Sequence, residues 1–157
     1  MALQKNVNSY VTVAEADLYF ADRLDGSNWT SLDNSIKEKL LIMATMLIDT
    51  YEFAGSVISD NQSLAFPRYG IYYDPKLGHN VELTNTVPDR ILKTTYELAF
   101  YLNEQPEYLS PVMTVDEIQV DVIKLKGLNN PIKLPSVVNK MIQPLRLNSS
   151  YMWWRSN

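Results

Sequence analysis

The feature that most constrains this chain is a break in its hydrophobic periodicity. Two stretches with apolar residues at helical spacing precede a run punctuated by glycine and proline, residues 55–88, and a third helical stretch follows it. Thr12 followed by Glu15 has the spacing of a capping box, which predicts a helix over about 13–24 with Val13, Ala16, Phe20 and Leu24 on one apolar stripe. Asp25-Gly26-Ser27-Asn28 supplies the stop. A longer helix over about 34–53 follows from Ile36, Leu40, Met43, Leu47 and Tyr51, with Gly55 beyond its end, and is expected to be the central core helix. Pro88 suits the first turn of a third helix running to about Asn103, with Leu92, Thr95, Ala99 and Leu102 on one face.

Between the second and third helices, Gly55, Pro67, Gly70, Pro75, Gly78 and Pro88 leave no sustained helical period, which predicts a long loop. Phe66, Tyr69, Tyr72 and Tyr73 make that loop ordered and packed, because a flexible linker is poor in aromatics. Past Pro111, Val115, Ile118, Val120, Val122 and Leu125 alternate with polar residues and predict a short β segment or hairpin. A short helix over about 136–143 precedes a tail from Leu145. The expected fold class is mainly α: a small helical bundle with a long ordered loop, a little β and an extended carboxy-terminal arm. Its expected parts are a bundle over 1–111, an extended segment over 112–135, and a short helix with an arm over 136–157.

At 157 residues and 46% hydrophobic, the chain can bury one modest core, which argues against disorder throughout. The longest wholly apolar run, Leu40 to Ala44, is too short to cross a bilayer, and the amino terminus lacks the pattern of a secretory leader, so a soluble, unsecreted protein with no membrane partner is expected. There is no cysteine, which removes disulfides, thiolate nucleophiles and cysteine metal sites together and fits a reducing cytoplasm.

Charge is distributed unevenly. Through Asp121 the chain carries 18 carboxylates against 8 basic groups, and from Val122 onward 6 basic groups and no acidic side chain. A basic carboxy-terminal part either meets an acidic surface, protein or nucleic acid, or folds against the chain's own acidic body.

Little points to chemistry. His79 is the single histidine, so no His–His metal site exists within one chain, and GxxxxGK[ST], GxGxxG, HExxH and GxSxG are all absent. The close acidic pairs, Glu15 with Asp17, Asp22 with Asp25 and Asp116 with Glu117, read as solvated helix-end or loop charges rather than an acid–base pair. No enzymatic activity, cofactor or metal is expected.

Three segments carry a resemblance. They are Asn8-Ser9-Tyr10-Val11-Thr12-Val13-Ala14-Glu15-Ala16-Asp17-Leu18-Tyr19-Phe20-Ala21; a run from Trp29 through Lys37-Glu38-Lys39, Ala44-Thr45 and Asp49 to Gly55; and Gln62-Ser63-Leu64-Ala65-Phe66-Pro67-Arg68-Tyr69-Gly70. In order and spacing they are similar to DnaT-like ssDNA-binding proteins, many of which are encoded among phage head and connector genes, although tryptophan usually stands in place of Phe66. The chain also resembles the helical head–tail connector or adaptor proteins of tailed phages, and the resemblance fades after Pro111.

The connector resemblance implies a structural ring subunit, about twelve copies beneath a portal protein in the virion neck. Such a ring is assembled in the host cytoplasm, meets a downstream tail or nozzle protein, and lets packaged duplex DNA pass without specific binding. The DnaT-like resemblance implies instead a single-stranded DNA-binding accessory of replication. Gln62, Phe66, Pro67 and Arg68 also have a local reading: Pro67 forbids helix and extends Phe66, so Phe66 plugs the bundle while Arg68 reaches a helix-end carbonyl or carboxylate. In the arm, Arg146, Tyr151, Met152, Trp153, Trp154 and Arg155 combine anchor-type residues with positive charge, the expected contact to portal or neighbouring subunit. The same residues are the expected source of any weak, salt-sensitive DNA affinity.

Overall fold

A computed structural model describes residues 2–106 and 134–147. The first helix, α1 (Val13–Ala21), starts on the predicted box: the Thr12 hydroxyl accepts from the Glu15 N–H at 3.2 Å and the Glu15 carboxylate accepts from the Thr12 N–H at 2.8 Å. It ends earlier than Leu24, which is fully exposed, and the expected stop is a second short helix, α2 (Gly26–Thr30). A Cβ at Gly26 would strike the Phe20 carbonyl, so glycine is what lets the chain double back. This return buries Trp29 beside Phe20, at 4.9 Å between ring centroids.

Helix α3 (Asn34–Ile48) stops short of Phe53. Its inward face is Lys37, Leu41, Ala44, Thr45 and Ile48; of the expected stripe, Ile36 is exposed and Leu40, Met43, Leu47 and Tyr51 flank the core. The rotation follows from Lys37, whose ammonium donates to Asp17 at 2.9 Å and lies 5.9 Å from the Trp29 ring centre, so its aliphatic stem is carried inward.

The fold class is corrected here: the protein is a small mixed α/β fold, not a mainly α bundle, because residues 55–88 hold a sheet where a loop was expected. Strands β1 (Ser56–Val57), β2 (Arg68–Asp74) and β3 (His79–Leu83) form an antiparallel sheet in the order β1-β2-β3, with Ser56 opposite Tyr69, Ile71 opposite Glu82 and Tyr73 opposite Asn80. Its glycines serve the sheet. Gly55 has φ +80°, Gly78 has φ +73° at the hairpin turn, and a Cβ on Gly70 would come within 2.8 Å of the Gly55 Cα where the two backbones cross.

Helix α4 (Asp89–Glu104) is the central element in place of α3. Ile91, Thr94, Thr95, Tyr96, Leu98, Ala99, Phe100 and Leu102 are all buried, more than one stripe of its surface. The Thr94 and Thr95 hydroxyls donate to the carbonyls four residues back, Arg90 at 2.6 Å and Ile91 at 2.8 Å, which satisfies them in an apolar setting. Helix α5 (Ser136–Ile142) packs on α4 and runs into a 3₁₀ turn, Gln143–Leu145. The tail does not begin at Leu145. That side chain is fully buried, its carbonyl accepts from the Ala54 N–H at 2.9 Å, and the Leu147 N–H donates to Glu52 at 2.9 Å. The β segment expected over 115–125 lies outside the described residues.

Candidate nucleic-acid interface

The Gln62–Arg68 motif is a clamp built on backbone carbonyls. Arg68 donates to the carbonyls of Ala54 at 3.0 Å, Phe53 at 3.2 Å, Gly55 at 2.6 Å and Ala65 at 3.3 Å, all lying past the end of α3 rather than on it. Gln62 accepts from the Ile58 N–H at 3.1 Å and donates to the carbonyls of Leu64 at 2.6 Å and Pro67 at 3.1 Å, closing the loop before β2. The Phe66–Pro67 peptide is cis, and Phe66 is buried edge-on to Phe53 and Tyr10.

One hub here escaped the sequence reading. Asp49, just past α3, accepts from the Tyr10 hydroxyl and from the Ala65 N–H at 3.1 Å, while the Tyr10 oxygen accepts from the Phe66 N–H at 3.2 Å. Burial pushes the Asp49 carboxyl up, and these two donors pull it back. The same burial and the neighbouring Asp49 charge push the Tyr10 hydroxyl well above its usual range. With every oxygen engaged inside the fold, this network joins α3 to the loop before β2 and offers nothing to a ligand.

Of the arm residues, Arg146 alone is described, and it lies against its own domain. Its guanidinium sits 4.7 Å from the Tyr51 ring centre and donates to Asn139 at 3.4 Å, while its backbone bridges to Phe53. Tyr151, Met152, Trp153, Trp154 and Arg155 lie outside the described residues.

The surface that stands open is the outward face of the sheet. Strand alternation turns Tyr72 and Asp74 inward and leaves Tyr69, Ile71 and Tyr73 outward, 53%, 63% and 56% exposed. By register Ser56, Asn80 and Glu82 share that face, and the turn adds exposed Leu77 and Lys76. Asp74 anchors the hairpin to α4: it accepts from the Arg90 guanidinium at 2.6 and 3.0 Å and from the Lys76 N–H at 2.8 Å. The Arg90 guanidinium holds the Asp74 carboxyl well below the usual carboxylate range.

Two aromatic residues four apart on one strand face are set about 13 Å apart along the backbone, with an apolar residue between them. Nucleobases stack on platforms of this kind. The alternation Tyr69, Ile71, Tyr73, followed by an Asp-Pro-Lys-Leu-Gly turn, was the signal for it in the sequence. Among the described residues no group of three or more His, Asp or Glu is arranged to hold a metal ion, and no helix is long and apolar enough to cross a membrane.

No curated protein and no solved structure matches the chain. A family model described as "Putative DnaT-like ssDNA binding protein" matches residues 2–152, nearly the whole length. The chain therefore belongs to the DnaT-like ssDNA-binding protein family.

Proposed function

We propose that this protein is a non-enzymatic single-stranded DNA-binding module. The observation that carries the reading is the pairing of family membership over 2–152 with an open sheet face bearing Tyr69 and Tyr73. Duplex DNA keeps its bases stacked and offers such a face little, so single strands are preferred. Fluorescence anisotropy with matched single-stranded and duplex oligonucleotides tests this: preferential binding of the single strand is expected, and equal or absent binding refutes it.

The distribution of charge favours a second reading, a head-to-tail adaptor ring beneath a phage portal. The stretch through Asp121 has ten more carboxylates than basic groups, and an acidic channel wall repels passing duplex rather than holding it. On this reading the basic, aromatic carboxy-terminal arm contacts the portal or a neighbouring subunit, and the ring sits in the virion neck above a downstream tail protein. Sedimentation of the full chain with and without portal discriminates: a ring formed only on the portal supports the adaptor, and an unchanged free protein in both samples counts against it.

A further inference from the structure

We infer that the outward sheet face holds single-stranded DNA by its bases, through Tyr69, Ile71 and Tyr73, with phosphates contributing little. This rests on the single-stranded DNA reading and names the chemistry of its site.

The argument runs through the cations. Of the basic residues described, Lys5, Arg23, Lys37 and Arg90 are engaged in ion pairs, Arg68 is spent on four carbonyls, Arg146 lies against Tyr51, and the exposed Lys39, Lys93 and Lys140 are carried by helices α3, α4 and α5 rather than by the sheet. Lys76 is the one cationic side chain carried by the hairpin turn, and Glu82 on the face itself repels phosphate. A groove that tracks the backbone needs a row of cations, and each neutralised phosphate adds about −0.7 to the salt slope for single strands. With roughly one such contact, this face itself adds only about −0.7 to the slope. What the face offers instead is two phenol rings and an isoleucine, more than half exposed, on a sheet held rigidly by the Asp74–Arg90 pair and the Gly55–Gly70 crossing. Stacking is indifferent to base identity, because every base presents a π-face, so little sequence preference follows.

The experiment uses the full chain and three labelled strands: oligothymidine of roughly 15 nucleotides, within the range single-strand binders occupy, an abasic strand of the same length, and the matching duplex. Tyr69→Thr and Tyr73→Thr remove the rings while keeping a residue suited to a strand, and circular dichroism checks that the fold persists. Expected are binding of oligothymidine, loss of binding to the abasic strand, and about tenfold weaker binding for each variant with the log–log salt slope of the parent unchanged. Equal binding of the abasic strand, a variant salt slope shallower than the parent's by about one phosphate contact or more, or folded variants that bind like the parent overturn the inference while leaving single-strand binding in place. Failure of the parent to bind any single strand overturns the underlying reading, and the inference falls with it.

Discussion

Replacing Tyr10 by phenylalanine isolates one link of the network that joins α3 to the loop before β2. The ring is fully buried and remains in place, so packing against Phe66 is kept and only the hydroxyl is lost. That hydroxyl donates to the Asp49 carboxylate and accepts from the Phe66 N–H at 3.2 Å. A hydrogen bond to a charged partner contributes about 1.5–3 kcal/mol, and the Phe66 N–H is left unpaired in a buried setting. Asp49 keeps the Ala65 N–H at 3.1 Å and is not fully buried, so water restores part of the loss. The expected destabilisation is about 2 kcal/mol, a fall in Tm of roughly 4–8 °C for a chain of this size.

The pH dependence sharpens the test. Burial raises the Asp49 carboxyl, so its contribution to stability is present below the unfolded carboxylate value, about 4, and declines as pH rises through its folded value. The Tyr10 hydroxyl limits that decline by favouring the charged form, and removing it matters most when Asp49 is ionised. Urea unfolding of parent and Tyr10→Phe at neutral pH and near pH 4 measures both effects. A difference under about 0.5 kcal/mol at neutral pH, or one that does not shrink on acidification, refutes the assigned role.

Three further outcomes follow from the fold. Gly55→Ala forces a Cβ toward the Tyr69 carbonyl at φ +80°, and is expected to destabilise by at least about 2 kcal/mol in the same unfolding assay. Because Arg90 lowers the Asp74 carboxyl, the pair's stabilisation is present above the unfolded carboxylate value and lost below it; the Tm advantage of the parent over Arg90→Gln should narrow as pH falls beneath about 4. Ending the chain at Asn148 keeps the Leu145 and Leu147 contacts and should leave Tm unchanged by calorimetry, whereas ending it at Gln143 removes fully buried Leu145 and should cost about 3–5 kcal/mol.

What was legible in the sequence was local. The Thr12–Glu15 box and the start of α4 after Pro88 depend on residues within one turn of each other, and both stand where the spacing puts them. The stripe expected on α3 rested on Ile36, Leu40, Met43, Leu47 and Tyr51 alone, whereas the inward face is set by Lys37, whose partners Asp17 and Trp29 arrive from a different part of the chain. The sheet was hidden by its own glycines and prolines: Gly55, Gly70 and Gly78 read as loop residues, yet they permit the backbone crossing and the turn. Asp49 illustrates the deeper limit. Its donors lie 39 residues away at Tyr10 and 16 away at Ala65, and no local pattern foretells such a meeting.

Most of the residues that carry the family resemblance turn out to be scaffold, with exposed Tyr69 an exception. Tyr10, Thr12, Glu15, Asp17, Trp29, Lys37, Asp49, Phe66 and Arg68 are caps, buried rings and internal hydrogen-bond partners. A match on these positions therefore speaks first to the fold, because each is held by contacts inside the domain. Tyr69, Ile71 and Tyr73 are under no such constraint, since more than half of each is exposed and a change there leaves the core untouched. It follows that the scaffold and the proposed binding face can be changed separately. A chain that keeps the Tyr10–Asp49 and Asp17–Trp29–Lys37 contacts but places charged residues at the three outward positions of β2 should fold as this one does and lose affinity for bases. A triple variant of this protein, Tyr69→Lys, Ile71→Glu and Tyr73→Lys, makes the comparison directly: unfolding in the parent's range with base binding abolished is expected. Unfolding of the variant would mean that the outward face belongs to the scaffold after all.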